Sequence, residues 1–302
     1  MEKIVSPRGK IKFVNLLGEK HLQFNAFNKG KYKNEEILKT YYNNVSNLLK
    51  ILIRIEKEGF HCFRMSSNLL PLIDIVDPSL LEDKTLLNLL NSVGDTVKNL
   101  NIRLTCHPDQ FVVLSSKEDN IIEKSINQLK YHAWIFDRMD LPKNPYYAIN
   151  VHGGVKQESK KLIESIDRLP ENIRNRLTLE NDERSYSLQD LLEVNKQTQV
   201  PIVWDSHHHS FNPGTIKNES EALEMAMKSW PENIKPLTHL SNTDPQLKNG
   251  SFTERRKHSD YVHYIPECQL TANNNGLIDI DFEFKMKNLA INKAVNEFGI
   301  SL

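Results

Sequence analysis

The succession of elements along this chain predicts an α/β protein, a single (β/α)8 TIM barrel spanning residues 1–302. Eight short strand-like runs alternate with stretches of helical periodicity, a pattern that a closed barrel satisfies better than an open doubly wound sheet. Six residues of metal-binding types, His107, His152, Glu180, Asp205, His239 and Glu283, each sit at or just past the end of one of those runs. A parallel barrel delivers every strand's C-terminal end to one face, so six such residues would converge there. No G-x-G-x-x-G or Walker loop follows any strand, which weighs against a nucleotide-cofactor enzyme.

Turn residues at Pro7-Arg8-Gly9 and Asn28-Lys29-Gly30-Lys31 frame a first strand near residues 12–16. A helix follows over residues 34–58, where Ile37, Tyr41, Val45, Leu48, Leu52 and Ile55 recur at three- and four-residue spacing and Gly59 supplies the stop. Residues 61–65 are the second strand, 80–100 a helix, and 103–106 the third strand. Residues 121–139 read as a helix burying Leu129, Trp134, Ile135 and Phe136, and 146–151 as the fourth strand. Helices over 161–167 and 188–194 flank a fifth strand at 177–179. The sixth strand, 201–204, runs into a loop ending in Asn212-Pro213-Gly214, and a helix over 219–228 follows. The last two strands lie near 236–238 and 277–284.

Hydrophobic residues are 39% and charged residues 26% of the 302, enough apolar material for a substantial core in a water-soluble chain. Thirty-nine Lys and Arg balance 39 Asp and Glu, so average charge gives no argument for nucleic acid. A local basic face and bound cations can still attract phosphate. No apolar run approaches the roughly 20 residues that cross a bilayer, and the segment MEKIVSPRGKIKF lacks a secretory apolar stretch. Three cysteines without C-x-x-C spacing fit a reducing compartment. The expectation is a cytoplasmic protein with no membrane partner.

The densest segment is Asp205-Ser-His-His-His209 after the sixth strand. A carboxylate at i with histidines at i+3 and i+4 can set two or three ligands around one cavity, with His207 the one expected to point elsewhere. Histidine nitrogen with carboxylate oxygen suits Zn2+ or Mn2+, and the absence of cysteine ligands argues against a structural zinc. Carboxylates able to bridge ions, such as Glu180 and Glu283, are what a multi-metal hydrolytic centre requires. The same ligands can polarise a sugar hydroxyl and carbonyl, so metals alone leave hydrolysis and aldose isomerisation both open. Gly153-Gly154 fits either an anion-binding backbone or a tight turn. In HPDQF (107–111), Gln110 and Phe111 fit either a wedge into a base stack or an ordinary buried pair.

Taken together, FRMSSN (63–68), CHPDQFV (106–112), NVHGG (150–154), LENDER (179–184), VWDSHHHSFNP (203–213) and EFKMK (283–287) resemble the UV damage endonuclease family. They run in that family's order over most of the chain. LENDER combined with D-x-H-H-H…N-P is the specific part. The resemblance implies a TIM barrel holding two or three divalent ions, Mn2+ in the first place with Zn2+ as the other candidate. It implies a monomer that acts on damaged double-stranded DNA, on the 5′ side of ultraviolet photoproducts (cyclobutane dimers, 6-4 products) and some other lesions. Carried over residue by residue, it implies His107, His152, Glu180, Asp205, His208, His239 and Glu283 as metal ligands, with His258 in RRKHSDY (255–261) as the remaining histidine. Gln110 and Phe111 fall where the family inserts two side chains opposite the lesion. His209 is expected near the phosphate, catalytic together with Glu180 and Glu283. The expected reaction is attack of a metal-bound hydroxide that leaves 3′-hydroxyl and 5′-phosphate ends.

Three departures from the family pattern stand out. Phe111 replaces a frequent Tyr, keeping the stacking face and losing the hydroxyl. Leu237 occupies the place where some members carry a modified, metal-bridging lysine. The stretch supplying an aromatic and an Asn near the lesion is not recognisable in residues 13–27. Arg255, Arg256, Lys257, Lys285 and Lys287 are candidates for a DNA-facing positive surface. The competing reading is a metal-dependent sugar isomerase or epimerase on the same barrel, against which the HPDQF, LENDER and DSHHHSFNP blocks stand.

Overall fold

Seven parallel strands form one sheet whose spatial order is the chain order: β1 (Cys62–Met65), β2 (Arg103–Cys106), β3 (Ile149–His152), β4 (Leu177–Glu180), β5 (Ile202–Asp205), β6 (Leu237–Leu240) and β7 (Asp279–Phe282). The computed structural model describes residues 20–302, so the first expected strand, near residues 12–16, lies outside the described residues. The two edges of the sheet nearly meet, and Arg64 on β1 reaches Asp281 on β7 at 3.3 Å. A TIM-type barrel is thus observed, with seven strands rather than eight among the described residues. The parallel register sets His152 beside Glu180 and Asp205 beside His239.

Helices cover the outside. A short α1 (Phe24–Phe27) precedes α2 (Asn34–Lys57), whose buried stripe of Ile37, Tyr41, Val45, Leu48, Leu52 and Ile55 is the one that its periodicity predicts. The next helix begins later than expected. Asp83 accepts a hydrogen bond from the Leu86 amide at 2.9 Å and caps α3 (Lys84–Asn99), while Pro78–Glu82 form a separate 3-10 turn. α4 (Asp119–Arg138) follows β2. β3 also starts late: Pro145–Tyr147 make a 3-10 turn in which Asn144 accepts from the Tyr146 amide at 3.0 Å. Beyond it lie α5 (Ser159–Asp167), α6 (Glu171–Arg174) and α7 (Leu188–Thr198). The expected loop after Trp204 contains a helix, α8 (Ser206–Phe211), then α9 (Glu219–Met227). The chain closes with α10 (Phe252–Arg255), α11 (Glu267–Asn274) and α12 (Asn288–Phe298).

Strand residues alternate between two cores, as a period of two requires. Leu177, Leu179, Ile202 and Trp204 belong to the large outer core between sheet and helices. Val203 and Leu237 form a separate inner cluster with Trp230, against which Cys62 and Ile234 pack. At the N-terminal end of the strands the fully buried Arg103 pairs with Asp279 at 2.9 Å and donates to the carbonyls of Lys235 (2.8 Å) and Tyr146 (3.0 Å). That end is sealed. The inward position two residues on from Val203 is Asp205, and from Leu237 it is His239, so alternation alone aims both at the opposite, open mouth.

Candidate metal centre and its groove

At the mouth, Glu180 on the last residue of β4 is the hub. Its carboxylate lies 3.1 Å from His107 Nε2, 3.2 Å from His208 Nδ1 and 3.2 Å from His239 Nδ1, and Asn150 donates to it from β3. Asn150 is itself fixed by Thr178, which donates to its Oδ1 at 2.8 Å. Glu283, just past β7, lies 3.5 Å from His239 Nδ1 and 3.6 Å from His258 Nδ1. The His107 and His152 ring centroids are 5.1 Å apart, and those of His152 and His208 are 5.5 Å apart.

Three overlapping groups bring their donor atoms within 4.8 Å of one another: His107, His152 and Glu180; Glu180, Asp205 and His208; Asp205, His239 and Glu283. Glu180 and Asp205 each belong to two groups, as bridging carboxylates would. His152 Nδ1, Glu180 Oε1, Asp205 Oδ2 and His239 Nδ1 are buried and lack hydrogen-bond partners. Buried polar atoms without partners are costly, and a cation on their lone pairs would satisfy them. The residues therefore fit divalent ions. Of the eight residues expected as ligands, seven come together in these groups. His258 stands at the edge, with Nδ1 at 2.7 Å from the Glu283 carbonyl oxygen.

Charge within the cluster is balanced internally. Burial alone would raise the Glu180 carboxyl, but His239 and His152 hold it well below the usual carboxylate range. Glu283 is likewise lowered against the effect of burial, chiefly by the Arg64 guanidinium and then by His239. His239 resists the opposing effect of burial and is raised to about 9 by Glu180, Glu283 and Asp281. His208 is raised well above 6.5 against burial by Asp205 and Glu180. His152 goes the other way, lowered by burial.

The helix α8 sorts the three consecutive histidines. Asp205 is its N-cap, accepting from the His208 amide at 2.7 Å, and turns His208 toward the carboxylates. His207 packs edge-on against Phe211, at 5.1 Å between centroids, and faces away from the shared groups as expected. His209 lies apart from the converging groups. Its ring packs against the outward-facing Trp204 at 5.6 Å, with both nitrogens buried and unpaired, and it does not line the cleft at the mouth. Burial lowers its pKa. Successive helix residues point about 100° apart, so one aligned histidine excludes its neighbours.

Several site residues carried no role in the sequence reading. Arg64 pairs with both Asp281 and Glu283 and is the cation nearest the cluster. Leu237, which the sequence reading singled out as a departure from some family members, is buried in the inner apolar cluster, below His239. Asn181 ties β4 to β5, accepting from the Asp205 amide at 2.9 Å and donating to its carbonyl at 3.0 Å. Asp182 builds the following turn by accepting from the amides of Arg184 and Tyr186. The LENDER segment thus supplies scaffold as well as a candidate ligand. The glycines after His152 are fixed by packing: a Cβ on Gly153 would stand 2.4 Å from the Tyr186 ring, and Gly154 has φ +95°.

The centre opens into a cleft of about 590 Å3 lined by His107, His152, Asp182, Glu183, His208, Arg256, Lys257 and His258. A second space of about 610 Å3, with Arg64, Ser66, Phe111, Glu283 and Lys287 in its wall, shares His107, Pro108, Asp109, Gln110 and His152 with the first. The two spaces adjoin as one open groove on either side of the HPDQF loop. Gln110 is exposed at its rim, and Phe111 is 74% exposed. Arg256 is held by Glu183, Lys285 lies 3.8 Å from Asp260, and the Arg255 guanidinium sits 5.5 Å from the Phe211 ring centroid.

The sequence model of the family described as UV-endonuclease UvdE matches residues 16–300. A UV DNA damage endonuclease of Nostoc sp. is 32% identical over 287 residues, covering 90% of this chain and 85% of its own. One from Bacillus cereus is 29% identical over 293 residues, covering 93% and 89%. Among solved structures, SacUVDE matches with a TM-score of 0.79 at 28% identity over 94% of both chains. The apo 3-keto-D-glucoside 4-epimerase YcjR from E. coli matches with a TM-score of 0.56 at 12% identity, over 83% of this chain and 92% of its own, a likeness of fold alone. No helix among the described residues is long and apolar enough to cross a membrane.

Proposed function

This chain belongs to the UV-endonuclease UvdE family, and on that premise we propose that it is a metal-dependent DNA repair endonuclease cutting 5′ to ultraviolet photoproducts. The observation that carries this reading is the set of three overlapping ligand groups, sharing Glu180 and Asp205, in an open groove rimmed by Phe111. Two or three divalent ions, Mn2+ by preference, would supply Lewis-acid stabilisation of the phosphate and an activated water. His107, His152, Glu180, Asp205, His208, His239 and Glu283 hold them, and His258 completes the rim. Lys257 and Arg256 line the cleft where a phosphate backbone would enter. Gln110 and Phe111 enter the stack, and a damaged dinucleotide, cheaper to unstack than intact DNA, leaves it. An open two-armed groove suits a duplex better than a small polyol, which favours this over the epimerase reading.

The test is incubation of purified protein and Mn2+ with a duplex carrying one defined photoproduct, with the cut mapped at nucleotide resolution. Incision 5′ to the lesion, lost in Glu283→Gln and in His208→Ala, is expected. Metal-independent cutting, or equal cutting of the undamaged duplex, would overturn the proposal.

A further inference from the structure

Asp279, Asp281 and Glu283 stand two positions apart along β7 and its exit, so a period of two turns all three toward the barrel interior. Two of them are accounted for. Asp279 pairs with Arg103 at the sealed end, and Glu283 belongs to a candidate ligand group. Asp281 lies between them and belongs to none of the three groups. Its side chain is only 14% exposed, and a carboxylate taken that far out of water needs partners.

Those partners come from the strands on either side. His239 is the residue opposite Asp281 in the β6–β7 register. Asp281 Oδ2 lies 3.8 Å from His239 Nε2 and 3.3 Å from Arg64 Nε on β1. The other ring nitrogen, Nδ1, faces the candidate ligand carboxylates, 3.2 Å from Glu180 and 3.5 Å from Glu283. Arg64 donates to Glu283 as well, which completes a closed ring of four side chains. His239 is 1% exposed, so bulk water does not serve either nitrogen. An imidazole that gives one lone pair to a cation keeps its proton on the other nitrogen. A carboxylate facing that proton fixes the tautomer and the plane of the ring.

We propose that Asp281 is a positioning residue of the metal centre. It holds the Nε2 proton of His239, so that Nδ1 turns its lone pair toward an ion shared with Asp205 and Glu283, while Arg64 holds Asp281 from its far side. At 3.8 Å the two are an ion pair, and a small rotation of either side chain makes the hydrogen bond. This role rests on the reading of the mouth as a metal centre and does not depend on the substrate.

The test uses the full-length protein and two readouts. Mn2+ binding to wild type and to Asp281→Asn is followed by the electron paramagnetic resonance of the free ion. Asn keeps the shape of Asp and one acceptor oxygen but not the charge, and the variant should bind Mn2+ about tenfold more weakly, as loss of a ligand's outer partner does. Removing a nearby negative charge also weakens cation binding by itself, so a second readout follows the ring. Long-range 1H–15N spectra of the Zn2+-loaded protein, labelled in histidine, show which nitrogen of each ring carries the proton. His239 is assigned by the signals lost in His239→Gln. The wild type should show it protonated at Nε2 and metal-bound at Nδ1, and in Asp281→Asn the Nε2 proton should exchange faster and broaden. Wild-type His239 bound through Nε2 overturns the proposal, and that spectrum decides the matter even if Asp281→Asn does not fold. Unchanged Mn2+ affinity in Asp281→Asn overturns it too, as does weaker binding with unchanged His239 signals, which is the effect of charge alone. A wild type that binds no Mn2+ overturns the metal reading and this role with it, whereas normal wild-type binding beside an unaffected variant overturns this role alone.

Discussion

Phe111 is the most exposed large hydrophobic side chain among the described residues, at the rim of the groove. A single exposed aromatic ring is ordinary on a protein surface, and what distinguishes this one is its place in the groove wall beside His107 and His152. Phe111→Ala should weaken binding of a photoproduct duplex by about tenfold, consistent with roughly 1–3 kcal/mol per stacked base. Phe111→Trp should retain it, with fluorescence anisotropy as the measurement. His239 gives a second prediction. Its folded pKa of about 9 lies above the ordinary 6.5, so in metal-free protein its stabilisation is complete below about pH 6.5 and is lost as pH rises through 9. His207 is opposite, since burial takes it to about 4 and stability falls as pH drops from 6.5 toward that value. Metal-free protein should melt highest near neutral pH, which thermal scans in a chelator will measure. Metal binding must displace the His239 proton, so divalent-ion affinity should rise with pH up to about 9, and a flat titration profile would contradict this. At this scale the residues that converge at the mouth were legible because their types are few and nearly all sit at a strand end. That the His209 ring packs on Trp204 was not legible, because adjacency in sequence is not adjacency in space on a helix.

At the scale of elements, the long periodic helices follow directly from pattern, and α2 buries the stripe that its spacing predicts. The irregular pieces do not. Asn212 and Pro213 advertise a loop and conceal the six-residue helix α8, which Asp205 caps while also belonging to two of the candidate ligand groups. Tyr146 and Tyr147 look like the start of a strand, but Pro145 before them opens a 3-10 turn that takes both. Helix contact at Gly94 was equally invisible. A Cβ there would meet the Met139 carbonyl oxygen at 1.6 Å, so α3 passes the end of α4 with no room for a methyl group. Gly94→Ala should cost about 3 kcal/mol as overpacking, read as a lower denaturant midpoint.

The whole molecule has two unlike ends. Arg103, first residue of β2, reaches past β1 to Asp279, first residue of β7, so a single side chain ties together the two edges of the sheet. Arg103→Met should destabilise the fold by about 3 kcal/mol, because it leaves the Tyr146 and Lys235 carbonyls without their buried donor and Asp279 with Lys235 as its remaining cation. The chemistry is at the other end, so incision per folded molecule should persist, which activity normalised to the folded fraction will check. The alternation of strands and helices, the residue types at the strand ends and the family's motif order all reside in the sequence, since each is a local pattern. Which oxygen bridges which histidines, which of three histidines faces the groove and that Arg64 answers Glu283 were settled only by the tertiary structure. The physical reason is that these relations join residues from different strands, and their distances are set by barrel register and helix rotation, which no window of sequence contains.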